Sequence, residues 1–217
     1  SVRIWTKAVF GVPANGNLTC GKINSGSMVA TDQANHNRTI MEEPEFNQPL
    51  NGARPDSLTV WVNFSYSGST AWTARVAATI HDAYNYADPS ATLDSLHAVA
   101  KAEMNYPAVS PSGGWQRLSI PFDYELKNFD AFYEKMNNSQ YWKDSDYMLV
   151  TFATNSTPGK GTDGDQVLID DMLLIYKPVL KLTKSVYQPG EKITVDYTLV
   201  GTMSPSNIDK KANVVSL

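Results

Sequence analysis

With 217 residues and 22 acidic against 18 basic side chains, the chain is long enough for one large β domain, or one domain and part of another. It carries no basic block of the kind that holds a nucleic acid, and no apolar run approaches the roughly 18 to 20 residues that cross a bilayer. Cys20 is the lone cysteine, so no internal disulfide framework exists. The 11 Tyr, 5 Trp and 13 Gly, among many Asn, Ser and Thr, lean towards an extracytoplasmic bacterial β protein: secreted, periplasmic or anchored on the outer surface. The opening residues, SVRIWTKAV, do not read as a signal peptide.

Residues 2 to 10 predict a strand. From 11 to 56 the turn-rich GVPANGN and GKINSGS and the acid- and proline-rich EEPEFNQPLNGARP predict short strands joined by long loops. A strong strand follows, with Leu58, Val60, Val62, Phe64 and Tyr66 on one side and Thr59, Trp61, Asn63 and Ser65 on the other. The next places Trp72, Ala74, Val76, Ala78 and Ile80 against Thr73, Arg75, Thr79 and His81. Their link, SYSGST with Gly68, reads as a short hairpin turn. Residues 87 to 95 read as a polar loop. The alanines of SLHAVAKAEMNY suit a helix that Asp94 would cap, but the bracketing strands favour a strand there, and WQRLSIPFDY is another. Phe129, Phe132, Tyr133 and Met136 mark a short helix within 125 to 142.

Residues 147 to 176 hold an apolar strand, a glycine-rich loop and a second apolar strand with two adjacent acids. In the latter, Val167, Ile169, Leu173 and Ile175 share one side, and Asp171 falls in their register. A carboxylate in a buried row must be hydrogen-bonded, paired or metal-bound. Pro178 marks a boundary between a domain spanning 1 to 177 and residues 178 to 217. The latter read as a partial Ig-like β domain or accessory strands, with a Gln-Pro-Gly turn before Ile193, Val195, Tyr197 and Leu199. The pattern is all-β: an antiparallel two-sheet jelly-roll sandwich followed by the start of a second β domain.

Three blocks carry a resemblance: PLNGARPDSLTVWVNFSY, GWQRLSIPFDY, and YMLVTFATNS with GTDGDQVLIDDMLLIY. Together they resemble the Bacteroidetes family named the "putative carbohydrate metabolism domain", a jelly-roll module of secreted and outer-surface proteins. The resemblance covers roughly residues 10 to 176, and its most specific pieces are Arg-Pro-x-Ser-Leu and Leu-Ile-Asp-Asp. It implies a galactose-binding-like sandwich and an association with glycans. By analogy with carbohydrate-binding modules, it also implies an acid of the last strand helping to hold a structural calcium.

The chemistry-bearing residues fall into two groups. Asp163, Asp165, Asp170 and Asp171 offer hard oxygen ligands for Ca2+, which wants six to eight of them. The plainer reading makes Asp163 and Asp165 turn formers and leaves one strand acid bonded to loop amides. Aromatics give the second group, because sugar rings present flat apolar faces that Trp and Tyr cover while polar neighbours bind the hydroxyls. Trp61 and Arg75 would line one outward face, with Tyr84, Tyr86 and Trp142 as loop platforms, whereas Trp72 and Trp115 read as core or core-edge anchors. A passive glycan-binding module, or one that holds a neighbouring domain of the same polypeptide, is favoured. The alternatives are an adhesin-like structural module and a glycoside hydrolase. The last needs two carboxyls facing each other across a cleft, and no linear spacing brings such a pair together.

Overall fold

The computed structural model describes residues 1–124, 145–182, 188–190, 192 and 195–199. The chain opens with the short strands β1 (Val2–Trp5), β2 (Lys7–Val9), β3 (Val12–Ala14), β4 (Asn17–Thr19), β5 (Lys22–Ser25) and β6 (Asn35–Arg38). After a 3-10 turn at Pro44–Phe46 come β7 (Ser57–Ser65), β8 (Thr73–His81) and β9 (Ala87–Asp88). One helical turn, α1 (Thr92–Ser95), leads into β10 (Ala98–Pro107) and β11 (Trp115–Pro121). The last strands are β12 (Tyr147–Ala153), β13 (Gln166–Ile175), β14 (Pro178–Leu182) and β15 (Val195–Leu199).

Two four-stranded antiparallel sheets make the body: β1-β13-β7-β11, here sheet 1, and β10-β8-β12-β4, sheet 2. Numbered by appearance, these strands run 1-8-3-6 in one sheet and 5-4-7-2 in the other, the double Greek key of a jelly roll. Alternation explains the layering. Leu58, Val60, Val62 and Phe64 of β7 and Ala74, Val76, Ala78 and Ile80 of β8 are wholly buried between the sheets. There they meet Leu118 and Ile120 of β11, Val150 and Phe152 of β12, and Val167 and Ile169 of β13. Each large apolar side chain so buried contributes about 1.5–3 kcal/mol.

The expected hairpin between β7 and β8 does not form. β7 pairs with β13 and β11, whereas β8 pairs with β10 and β12, so residues 66–72 arch from one layer to the other. Both strands aim their apolar rows inward, and a turn-rich link serves an arch as well as a hairpin. The polar loop expected at 87–95 also contains β9, which pairs with β6. Asp94 lies inside α1 rather than ahead of it and accepts the Ala91 N–H at 3.2 Å. The helix expected at 125–142 and Trp142 lie outside the described residues.

A bulge in β13 overturns the register read for Asp171. Asp170 faces Trp61 and Leu173 faces Thr59, so Asp171 and Met172 together oppose Val60. Asp171 takes a left-handed backbone, φ 45°. Beyond it the strand has switched faces: Leu174 packs on the core, while Leu173 is 56% and Ile175 37% exposed. The sequence conflict of an acid in a buried row is thus resolved by expelling the acid, and no partner is needed. β14 and β15 form a separate two-stranded ladder.

Candidate functional site

The outer face of sheet 1 is exposed around Trp61 and Trp115. Trp61 projects from the middle of β7, with Asp170 of β13 directly across on one side and Arg117 of β11 on the other. Trp115 begins β11 opposite Asn63, one step along the same face. The start of β11 is set by local backbone chemistry: Asn63 Oδ1 accepts the Gly114 N–H at 2.7 Å, and Gly113, at φ 97°, comes so close that a Cβ there would strike the same oxygen. Trp61 is 39% and Trp115 45% exposed. With Asp170 and Asp171 they line a shallow cleft of about 250 Å3. Asp170 Oδ1 accepts the Asp171 N–H at 3.0 Å, and Asp170 Oδ2 lies 3.3 Å from the Ser1 amino group.

Two indole faces beside two exposed carboxylates suit a ligand that is flat and apolar on one side and rich in hydroxyl donors at its rim. The two acids are consecutive residues of one strand and form one wall of the cleft. A glycosidic bond is cleaved by carboxyls on opposite sides of the sugar, an arrangement that Asp170 and Asp171 do not provide.

The other residues expected at a glycan site are elsewhere. Arg75 is on sheet 2, whose outer face is the opposite surface of the sandwich from Trp61, and its side chain is only 19% exposed. It grips Asp88 of β9 through two bonds of 2.8 and 2.9 Å and reaches Glu103 at 2.6 Å, and Thr151 Oγ1 donates to Asp88. Burial works against both charges. Even so, the bonds and charge of Asp88, then Glu103, hold the Arg75 guanidinium above its usual pKa, and Arg75 and Thr151 hold the Asp88 carboxyl below the ordinary carboxylate range. Tyr86 is buried and stacks on His81 with centroids 5.2 Å apart, while Tyr84 stacks on His97 at 3.6 Å. His81 is buried too. Thr39 Oγ1 lies 2.9 Å from its Nε2 and the Asp82 carbonyl 2.8 Å from its Nδ1, so Nδ1 carries the proton, and burial pulls its pKa down to about 4. Arg75 and Tyr86 are therefore corrected from ligand contacts to structural groups: strands β6 and β9 and the chain around them cover the face on which they sit.

The four aspartates do not converge as a calcium cage. Asp165 is fully buried and accepts the Ser67 N–H at 2.9 Å and the Thr162 N–H at 2.7 Å. Asp163 accepts the Ala8 N–H at 2.7 Å and sits 3.6 Å from Lys7 Nζ. Among the described residues no group of three or more His, Cys, Asp or Glu side chains is placed to hold a metal. Trp115, expected in or at the edge of the core, is the residue that sequence reasoning missed. Its signal was parity: Leu118, Ile120 and Phe122 fill the inward row of that segment, and Trp115 falls in the other.

No family model and no curated protein matches the chain. Solved structures do, among them two from Bacteroides species. One, named a "putative glycoside hydrolase" from Bacteroides thetaiotaomicron, aligns with a TM-score of 0.54 at 18% identity, over 81% of this chain and 53% of that one. The other bears the same name, from Bacteroides vulgatus, with a TM-score of 0.50 and 16% identity over 81% of this chain and 72% of that one. The chain thus spans about half the length (53%) of the first. At such identities the likeness speaks to architecture, and it agrees with the strand order: the chain is an antiparallel two-sheet β-sandwich.

Proposed function

We propose that this is a non-catalytic glycan-contacting module of a secreted, periplasmic or surface-anchored bacterial protein, with Trp61, Trp115, Asp170 and Asp171 as its contact face. The observation that carries the reading is the pair of half-exposed indoles beside an acid-lined cleft. An unliganded sandwich gains little by leaving two tryptophans in water, since each would contribute more if buried. The names of the two similar structures and the family resemblance of the three sequence blocks support the same direction. The test is a glycan array probed with the wild-type chain and with Trp61→Ala and Trp115→Ala. Each substitution should weaken binding at least tenfold, and unchanged binding in both would remove this face from the site.

The neighbours' names also favour a second reading, a glycoside hydrolase. It requires a second carboxyl facing Asp170 and Asp171 across a bound sugar. Release of reducing ends from a bound oligosaccharide, abolished by Asp171→Asn, would establish it over the passive role.

A further inference from the structure

We infer that the contact face of Trp61 and Trp115 continues across sheet 1 to Arg3 and Trp5 of β1, and that it takes a neutral glycan chain lengthwise rather than a single terminal sugar. The inference rests on the glycan reading above and extends it. Residues paired across antiparallel strands project from the same side of a sheet. The register therefore carries the outward row of Trp115 and Asn63 on to Leu168 and Arg3, and the next row from Ser65 through Gln166 to Trp5. On β1, Ile4 is buried, and Arg3 and Trp5 on either side of it are exposed, Trp5 at 49%. The Arg3 guanidinium lies over the Trp5 ring, 5.0 Å from its centroid, a contact that orients the indole and still leaves half of it in water.

Span and chemistry select the ligand. Three interstrand steps and two residue rises separate Trp5 from Trp115, about 16 Å between their Cα atoms. That is several times the width of one sugar ring, so only a chain reaches both ends. A protein partner would meet an apolar centre depleted of charge. Here Arg3, Asp170 and Arg117 stand among the indoles, together with Asn63 and Gln166. Flat rings spaced by hydrogen-bonding groups match a polymer whose apolar ring faces repeat between rims of hydroxyls. Neutrality follows from the charges of this face: Arg3 and Arg117 offset Asp170 and Asp171, so neither an acidic nor a basic chain is favoured.

The test is the glycan array with glucan, mannan, xylan and galactan chains each present as a disaccharide and a hexasaccharide, probed with the full chain. At least one hexasaccharide should bind tenfold or more tightly than its disaccharide. Trp5→Ala should weaken that hexasaccharide at least fivefold and leave the disaccharide unchanged, and Trp5→Phe, which keeps a flat ring, should bind both as the wild type does. Should Trp5→Ala lower the melting temperature, Arg3→Ala, which frees the indole and removes a donor, must still cost the hexasaccharide at least threefold. Equal binding of the two lengths, or an undiminished hexasaccharide affinity in Trp5→Ala, would overturn the extended face while leaving Trp61 and Trp115 as a short site. Binding of no chain at all would remove the glycan reading, and this inference with it. A galacturonate hexamer bound more tightly than every neutral chain would overturn the neutral assignment. A wild type that dimerises where Trp5→Ala stays monomeric would give the face to a second copy instead.

Discussion

The two outer faces of the sandwich start from the same sequence signature and end with opposite chemistry. On β7 the residues opposite the apolar row include Trp61 and Asn63, and on β8 they include Arg75, Thr79 and His81. Sheet 1 is left open around Trp61 and Trp115. Around β8 and β12, sheet 2 is roofed by β6, β9 and their loops, and the outward residues there become a buried network: Arg75 with Asp88, His81 with Thr39, and Tyr86 stacked on the imidazole, with Glu103 closing on Arg75 from the exposed edge at β10. The difference teaches that an outward row stays accessible to a ligand only where no other described segment lies over it. Covered, the same polar side chains must satisfy one another and turn into fold determinants.

The roofed face should therefore break under substitutions that the open face tolerates. The largest effect belongs to Asp88→Ala, which takes from the mostly buried Arg75 its doubly bonded partner and leaves it Glu103. Losing one partner of a buried pair costs about 3–5 kcal/mol, which the remaining Glu103 bond reduces, read as a fall in the urea midpoint. Arg75→Met combined with Asp88→Leu should recover most of that loss, because no buried charge is left behind.

Acid comes next. His81 is neutral in the fold with its pKa near 4, against about 6.5 when unfolded. Between these values the unfolded chain binds the proton and the folded one does not. The stabilising contribution is therefore complete above pH 6.5 and is lost as the pH falls towards 4, by about 3 kcal/mol in all. His81→Gln should flatten that part of the stability profile. On the open face, Trp61→Ala or Trp115→Ala should shift stability by less than about 1 kcal/mol. The smallest effect is a gain: Asp171→Gly relieves the left-handed backbone and should raise stability by about 0.5–1 kcal/mol in thermal melts, while weakening glycan binding through loss of a carboxylate.

Much of the architecture was legible because alternation reports burial directly. The strands at 57–65, 73–81 and 147–153 and the sandwich they build all follow from it. Trp61 was legible for the same reason, since it stands opposite four consecutive inward apolar residues. Alternation does not say which sheet a strand joins, so β7 and β8 looked like a hairpin, and Arg75 looked like a neighbour of Trp61. Nor does it reveal a roof. The segment that buries Tyr86 and Asp88 is short, polar and irregular, and its partners are distant in sequence. The β13 bulge was hidden because two consecutive residues facing one partner leave no local mark, except that an acid falls where the period demands an apolar side chain.

The direct test of the two-face account is calorimetric titration of one glycan, taken from the array, against the wild type, Trp61→Ala, Trp115→Ala and Tyr84→Ala. The account predicts at least a tenfold loss of affinity for each tryptophan variant and an unchanged affinity for Tyr84→Ala, whose ring lies against His97 on the roofed side. Loss confined to Tyr84→Ala, with both tryptophan variants binding as the wild type does, would contradict it.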